Sequence, residues 1–491
     1  MFGTAPPVGA GRGHAPSAGK GGEVKYCLGI DIACRAAHQA TLADAEGRFV
    51  WSGKRFRTTA AELEALWALL PADTGPGQVT VTMEPTRNAW VPLAAWFRRR
   101  GAVVVVIPSE RAADLRDYFN KHTKTDRLDS RVLARVPLLH PEGLHPEEGL
   151  GPGDTLKRSA KHRSTLVKRR SQCLARLDAL LELLGPGWDA AFGGDLANKT
   201  PLRFLAAGYA DPYVVRRLGR ARLSRFIYRH SRGAWGEDIA AQLFAAADAT
   251  LALWDGELDY ADLAEDIAIE ARLALQLTTE VAELDERVRA LMATLDPERI
   301  LVSAPGVGDV VAAAILGRLG DPNRFRSLAG ARAFSGLVPS LNASGIAGAH
   351  GGPNKRGDAV LREALFLAAD HARRQDPTLA ARYHRLVTVA GKHHNSALCH
   401  IAMTLLSRIV TCWRNGERYE LRDVDGRPVS VTEARAIIAE RYQIPDDVRR
   451  RRRTVTHAQR VKSGRADRRK ESQRAPSAGP PRPRLEAPIR G

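Results

Sequence analysis

A chain of 491 residues is too long for one ordinary core, so two or three domains are expected. Its 44% hydrophobic content excludes a wholly disordered chain, and a formal charge of +19 makes polyanions the natural partners. That charge is uneven: from Arg449 onward 15 Lys and Arg face 3 Asp and Glu, so the body is only mildly basic.

Residues 1–23, rich in Gly, Pro and Ala without an apolar signal core, read as a disordered leader. An apolar run at Val24–Ala33 then begins a meander, continued by alternating segments at His38–Asp44 and Arg48–Phe56 around the turn Ala45-Glu46-Gly47. A helix follows over Thr59–Leu70, with Thr58 or Thr59 as its cap, then a buried strand at Val79–Met83. A helix at Asn88–Arg100 and a Val-rich strand at Ala102–Ile107 complete the pattern. Three leading strands followed by alternating helix and strand give an α/β domain over 24–150 in the RNase H-like order, with the later strands parallel.

Two heptad segments lie in 151–299. The first places Leu166, Cys173, Leu177, Leu180 and Leu184 on one seam, with Arg170 at a further seam position. The second runs Leu277, Val281, Leu284, Val288, Leu291 and Leu295. They predict an antiparallel coiled-coil arm whose tip, 200–260, is made of short helices. It is either a plain intramolecular bundle or an arm for dimerisation or for gripping RNA. Residues 300–425 read as a mostly helical domain with a Gly-rich loop near its centre, 426–445 as a short extension, and 446–491 as a disordered basic tail.

Four acids stand out. Asp31 ends the first strand, and Glu84 follows Val79–Met83 and precedes Pro85. In the RNase H-like order the first and fourth strands are neighbours, which sets these two side by side. Asp126 and Asp129 are spaced to share one face of a helix. Singly, each has an ordinary reading, Asp126 as a helix cap and Asp129 as a first-turn acid favoured by the helix dipole. Together they would repel one another unless cations intervened, and oxygen-only ligands suit Mg²⁺ or Mn²⁺. Paired metals can activate a nucleophile and stabilise the leaving oxygen of a phosphodiester.

With these residues in order, the sequence resembles the insertion sequence 110 family of transposases, whose N-terminal domain is RuvC-like with a DEDD carboxylate set. The matching pieces are Gly29-Ile30-Asp31, Met83-Glu84-Pro85-Thr86 and Lys124-Thr125-Asp126-Arg127-Leu128-Asp129-Ser130. Downstream come Ser303-Ala304-Pro305-Gly306-Val307-Gly308, Gly336-Leu337-Val338-Pro339, Ser344-Gly345 and Asn354-Lys355-Arg356-Gly357, so the resemblance spans roughly 24–425. It implies a DNA transposase with a second centre in the C-terminal domain, where a serine forms a covalent phosphoserine link to DNA. Ser344 is the residue carried over, with Ser340 as the alternative. The family further implies that carboxylate and serine domains from different protomers act together in a homo-oligomer, dimer or tetramer, and that a structured bridge RNA chooses the DNA.

For nucleic-acid contacts, Gly306 and Gly308 form a helix-hairpin-helix-like turn, and Lys355 and Arg356 are candidates for clamping phosphates near Ser344. At the arm's tip Arg216, Arg217, Arg220, Arg222, Arg225, Arg229 and Arg232, interleaved with Phe226 and Tyr228, suit RNA, or equally a solvated helix face. The run Arg449–Arg453 adds sequence-blind affinity or solubility. His393, His394, Cys399 and His400 match no standard zinc spacing and read as helix surface. Cys27, Cys34, Cys173, Cys399 and Cys412 form no CxxC pair and suit a reducing cytosol, and no run approaches ~20 uninterrupted apolar residues, so a cytoplasmic, nucleoid-associated protein with no membrane span is expected. Two other functions stay open on the residues alone: a RuvC-like metal-dependent junction nuclease without serine chemistry, and a non-catalytic nucleic-acid-binding regulator derived from a mobile element.

Overall fold

A computed structural model of the chain describes residues 24–109, 112–115, 126–139, 141, 144, 146–147, 149–151, 153–344, 347–353 and 357–448, with the backbone alone at 339–344 and 347–353. The expected leader, Lys355, Arg356 and the tail from Arg449 lie outside the described residues. The chain forms two compact units, 1–151 and 152–491.

The first unit is built on a five-stranded sheet in the order β3-β2-β1-β4-β5. Its strands are β1 (Tyr26–Asp31), β2 (His38–Asp44), β3 (Phe49–Phe56), β4 (Val79–Met83) and β5 (Val103–Val106). β1, β2 and β3 pair antiparallel, while β4 runs parallel to β1 and β5 parallel to β4. Both faces of the central strands are covered. Leu28, Ile30, Val79, Val81 and Met83 pack in one core with Leu63 and Leu66 of α1 (Ala60–Trp67) and Leu93 and Phe97 of α2 (Trp90–Arg99). Thr59 caps α1, as the sequence predicts. On the other face α3 (Asp126–Leu139) packs Val132, Leu133 and Val136 against Val105 and Ile107.

The second unit begins with α4 (Gly153–Leu181), whose partner is a 36-residue helix, α10 (Tyr260–Leu295). The pair is antiparallel: Arg163 bonds Asp285, Arg170 Nε donates to Thr278 Oγ1 at 2.8 Å, and Arg176 Nε donates to Glu270 Oε1 at 2.6 Å. Leu166, Cys173, Leu177 and Leu184 are buried as the heptads predict, but Leu181 goes in where Leu180 is only half-buried. Arg170 sits at the seam without an orphaned charge, because Thr278 and the carbonyl of Ala197 both accept from it.

Between them, α5 (Gly187–Ala191), α6 (Lys199–Ala206), α7 (Pro212–Leu218), α8 (Arg220–His230) and α9 (Glu237–Trp254) close the tip around Trp188, Phe192, Phe204 and Leu243. This core is shared with α4 and α10, which contribute Leu177, Leu181, Ile267 and Ala271.

The remainder joins α11 (Asp309–Leu319), α12 (Leu328–Ser335), α13 (Ala359–Ala372), α14 (Pro377–Thr388), α15 (His394–Asn415) and α16 (Val431–Arg441). Two features depart from the sequence reading. The Gly-rich stretch expected as a loop is an antiparallel ribbon, β6 (Pro339–Ser344) and β7 (Ala347–Pro353). A ladder is made of backbone hydrogen bonds, which glycine supplies as well as any residue, so composition hid it. The stretch read as a short extension holds α16, opened by a reciprocal capping box between Ser430 and Glu433. Packing also extends to Val448, slightly beyond the expected start of the tail. α15 is long and apolar enough to cross a membrane by length and composition, although polar residues interrupt it, yet Leu398, Ile401, Leu405, Leu406 and Ile409 are all core residues here.

Candidate active site

The carboxylates owe their placement to strand register and one helix crossing. β1 and β4 stay in parallel register to the pair Ile30–Met83, so Asp31, the last residue of β1, and Glu84, the residue after β4, each follow directly on a paired residue of strands about 4.8 Å apart. Alternation puts Asp31 on the face of Gly29, and Glu84 follows Thr82 on that same face, the one α3 covers.

Gly29 is where the helix touches down. A Cβ there would lie 2.1 Å from the Ala134 backbone N and 2.3 Å from the Ser130 carbonyl O, so only glycine admits α3. Ser130 Oγ also hydrogen-bonds Thr41 Oγ1 at 2.8 Å in the buried interface. Farther along, Leu138 approaches Gly47 and Arg135 Nε donates to the Gly47 carbonyl at the opposite end of the sheet. The helix thus runs antiparallel to β1, and its first turn, carrying Asp126 and Asp129, overlies the end where Asp31 and Glu84 sit. Asp126, Ser130 and Ala134 share one helical face, as do Asp129 and Leu133. Both acids lie in the first turn of the described helix, toward its positive dipole end.

The elements gather four acids at one sheet end, but the side chains do not close into a ligand cage. Among the described residues no group of three His, Cys, Asp or Glu side chains comes together as a metal site. The donor set is oxygen-only and partly exposed, with Asp31, Glu84 and Asp129 of intermediate burial and Asp126 open, which in chemistry fits a hard divalent cation. Thr82 Oγ1, on the same face two residues before Glu84, is buried without a hydrogen-bond partner. The zinc reading weighed at His393, His394, Cys399 and His400 finds no cluster either: His393 caps α15, and His394 Nδ1 pairs with the Tyr383 hydroxyl at 2.7 Å.

In the second unit, the backbone of Ser344 ends β6, paired with Ala347, and Ser340 lies within the same strand. The ribbon's base is fixed by a backbone crossing that the sequence reading did not foresee. A Cβ on Gly357 would lie 2.2 Å from the Gly336 N and 2.4 Å from the Phe334 O, and Gly336 adopts φ +67° to cap α12. Arg362 bridges the Ser335 and Gly357 carbonyls, and Arg318 pairs with Asp358 at 3.2 Å with both side chains largely buried. Two glycines in separate motifs, each beside a helix end, were the available signal.

The turn Pro305-Gly306-Val307-Gly308 opens α11 and lines a cavity of about 350 Å³ together with Gln375, Leu421 and Val431. Gly306 (φ +74°) is held by packing, since a Cβ there would meet the Ala368 O at 2.4 Å. Gly308, the α11 cap, faces open space. Behind the turn, Asp376 is buried and accepts from Arg408 at 3.2 Å and from the Tyr419 hydroxyl at 2.6 Å, while the Tyr419 N–H donates to Ser303 Oγ at 2.8 Å. Burial beside Asp376 drives the Tyr419 hydroxyl well above the usual tyrosine range, so it stays a proton donor to that carboxylate.

Two family models match these regions. Residues 28–186, including the sheet and α3, match the DEDD transposase model, and residues 298–384 match the transposase IS116/IS110/IS902 family. The chain belongs to the IS110/IS116/IS902 family of transposases. Among its relatives, the insertion element IS110 43.6 kDa protein of Streptomyces coelicolor is 26% identical over 406 residues, 82% of this chain and 96% of that protein. The insertion element IS116 44.8 kDa protein of Streptomyces clavuligerus is 26% identical over 76% of this chain and 91% of its own length. The insertion element IS900 42 kDa protein of Mycobacterium paratuberculosis is 25% identical over 77% and 93%. As a transposase of this family the chain acts on DNA, and the DEDD match is that of a divalent-metal enzyme. Residues 187–297, which hold the tip and α10, fall between the two matched spans.

Proposed function

We propose that the chain cuts and rejoins DNA of an insertion sequence through a phosphoserine intermediate, using a RuvC-like carboxylate centre and the serine of the C-terminal region. The observation that carries the first half is the β1–β4 register under the α3 crossing, which supports Asp31, Glu84, Asp126 and Asp129 as one set. These residues would hold Mg²⁺ or Mn²⁺, which supplies Lewis-acid stabilisation of phosphodiester oxygens when bound. The protein's own part is to bring the acids to one open sheet end.

Ser344 is the proposed nucleophile. Its hydroxyl oxygen would form a bond to phosphorus as the bond to the leaving 3′- or 5′-oxygen breaks, the serine proton passing to solvent or base. Attack by the freed hydroxyl of another strand then regenerates serine and joins the DNA. Support comes from the family match over 298–384 and from the ribbon's fixed base. Gly308 at the α11 N-terminus, with Lys355 and Arg356, is proposed to receive DNA phosphates; Gly306 serves the turn through packing.

The reading extends to a structured guide RNA as partner, a homo-oligomeric assembly, and action at the nucleoid in the cytoplasm. The test incubates the chain with element-end DNA, Mg²⁺ and the noncoding RNA flanking its gene, and maps any covalent DNA. An adduct at Ser344 that requires both metal and RNA is expected. Recombination equally efficient without RNA would end the guided part, and an adduct at another residue the serine assignment.

A further inference from the structure

The arm's tip carries a charge imbalance, and its own fold uses only part of it. Residues 212–236 contain seven arginines and no aspartate or glutamate. Elsewhere on the arm several cations find acids: Arg163, Arg176 and Arg289 pair with Asp285, Glu270 and Glu286.

The structure sorts six of the seven, and the seventh, Arg217, is exposed on α7. Arg216 pairs with Asp248 at 3.1 Å, and Arg220 lies over the Phe244 ring at 5.2 Å, so both serve the tip's own packing. Arg222, Arg225 and Arg229 are exposed and fall within a narrow arc of α8, opposite the buried Leu223 and Ile227. Among the described residues none of the three has an acidic partner. Arg232 continues the row just past the helix. From Arg222 to Arg229 the helix rises about 10 Å, a straight row of guanidiniums with no acid between them.

The interleaved aromatics divide as well. Phe226 is consumed by the tip core, its ring 5.0 Å from Tyr209 and 4.3 Å from His230. On α8 Tyr228, 60% exposed, faces out with its ring against Gly233, while Tyr213, also exposed, lies on α7 with its hydroxyl bonded to Asp255. A platform for single-stranded nucleic acid needs successive aromatic faces, and one tyrosine does not make it. A row of exposed guanidiniums without base-reading neighbours instead matches the dense phosphate charge of a duplex.

We infer that the α8 face of Arg222, Arg225 and Arg229, extended by Arg232, grips the phosphate backbone of a nucleic-acid duplex without reading its sequence. This deepens the reading above by naming the partner class at the arm's tip, and it uses residues outside both matched family spans. It requires no serine chemistry.

The test measures equilibrium binding of the full-length chain to a DNA duplex, an RNA duplex of the same sequence and the single RNA strand, each across a salt series. In R222Q/R225Q/R229Q the slope of log affinity against log salt is expected to fall by about 2–3 for a duplex, with affinity at low salt at least ~10-fold weaker. Thermal melting should be unchanged, because the substituted side chains are exposed. A control that replaces Arg272 and Arg287, exposed on α10, should leave the slope intact. Loss restricted to one duplex assigns the source as DNA or RNA; loss for both assigns shape and charge alone. Unchanged slope and affinity for every probe would overturn the proposal, as would a preference for the single strand that Tyr228→Ala abolishes. Binding is read without strand transfer, so a failure here and a failure of the serine reading are separate results.

Discussion

Two glycine-mediated close approaches organise this transposase, and they differ in what lies behind them. At Gly29 a 14-residue helix lies directly on the central strand of a five-stranded sheet, and Val132, Leu133 and Val136 seal the contact. At Gly336 and Gly357 two backbone segments cross at the base of a two-stranded ribbon, braced by Arg362 and by the Arg318–Asp358 pair. An isolated two-stranded ribbon is marginal in water, so its geometry depends on that base. The carboxylates are therefore set by a core, and the serine-bearing strand by a hinge-like anchor. Damage to the first should unfold its unit; damage to the second should misplace chemistry while the fold survives.

The largest expected effect is Gly29→Val. Its side chain would overlap helix backbone that has nowhere to go, costing about 3 kcal/mol or more, and both the sheet unit's melting transition and DNA cleavage should disappear. Retained cleavage would mean that α3 is not needed where the structure puts it. Gly357→Ala sharpens the other side. A cost of about 1–3 kcal/mol at the ribbon's base should leave the main melting transition in place, while strand transfer, measured on element-end DNA, is lost. Equal loss of both would erase the distinction.

Tyr419→Phe removes the hydroxyl shared by Asp376 and Arg408, leaving a buried carboxylate with one donor fewer. A loss of about 1–3 kcal/mol in denaturant unfolding is expected, with the Ser303 turn loosened beside it.

The smallest effect is a pH dependence in the first unit. His38 is buried, bonding the Ala33 N–H at Nδ1 and Thr58 at Nε2, and burial lowers its pKa below the ordinary value near 6.5. As pH falls through that ordinary value the unfolded chain takes up a proton that the folded chain refuses. Stability is thus undiminished above it and declines below it; thermal melts of wild type and His38→Gln across that range should diverge on the acid side alone.

The sequence made the carboxylate end legible because apolar runs stop abruptly before Asp31 and Glu84, and alternation then dictates the face. Helix spacing likewise announced Asp126 and Asp129. What it concealed was of another kind. The ribbon beneath Ser344 is Gly-rich, and glycine carries no periodic signal although its backbone pairs normally. Arg170 looked like a flaw in the heptad seam until Thr278 and the Ala197 carbonyl, distant in sequence, supplied acceptors. The α16 helix was readable in Ser430 and Glu433, whose spacing is that of a capping box. At the tip, seven arginines looked equivalent, and only tertiary packing separates Arg216 and Arg220 from the exposed row.

The central claim, that carboxylates and serine divide one reaction, is tested most directly by Ser344→Ala assayed for DNA strand cleavage in Mg²⁺ beside Asp126→Asn. The account predicts that both variants fold, that both fail to cleave, and that only wild type yields a covalent protein–DNA adduct. Cleavage at the wild-type rate by Ser344→Ala would contradict it and leave a metal-dependent nuclease that uses water alone.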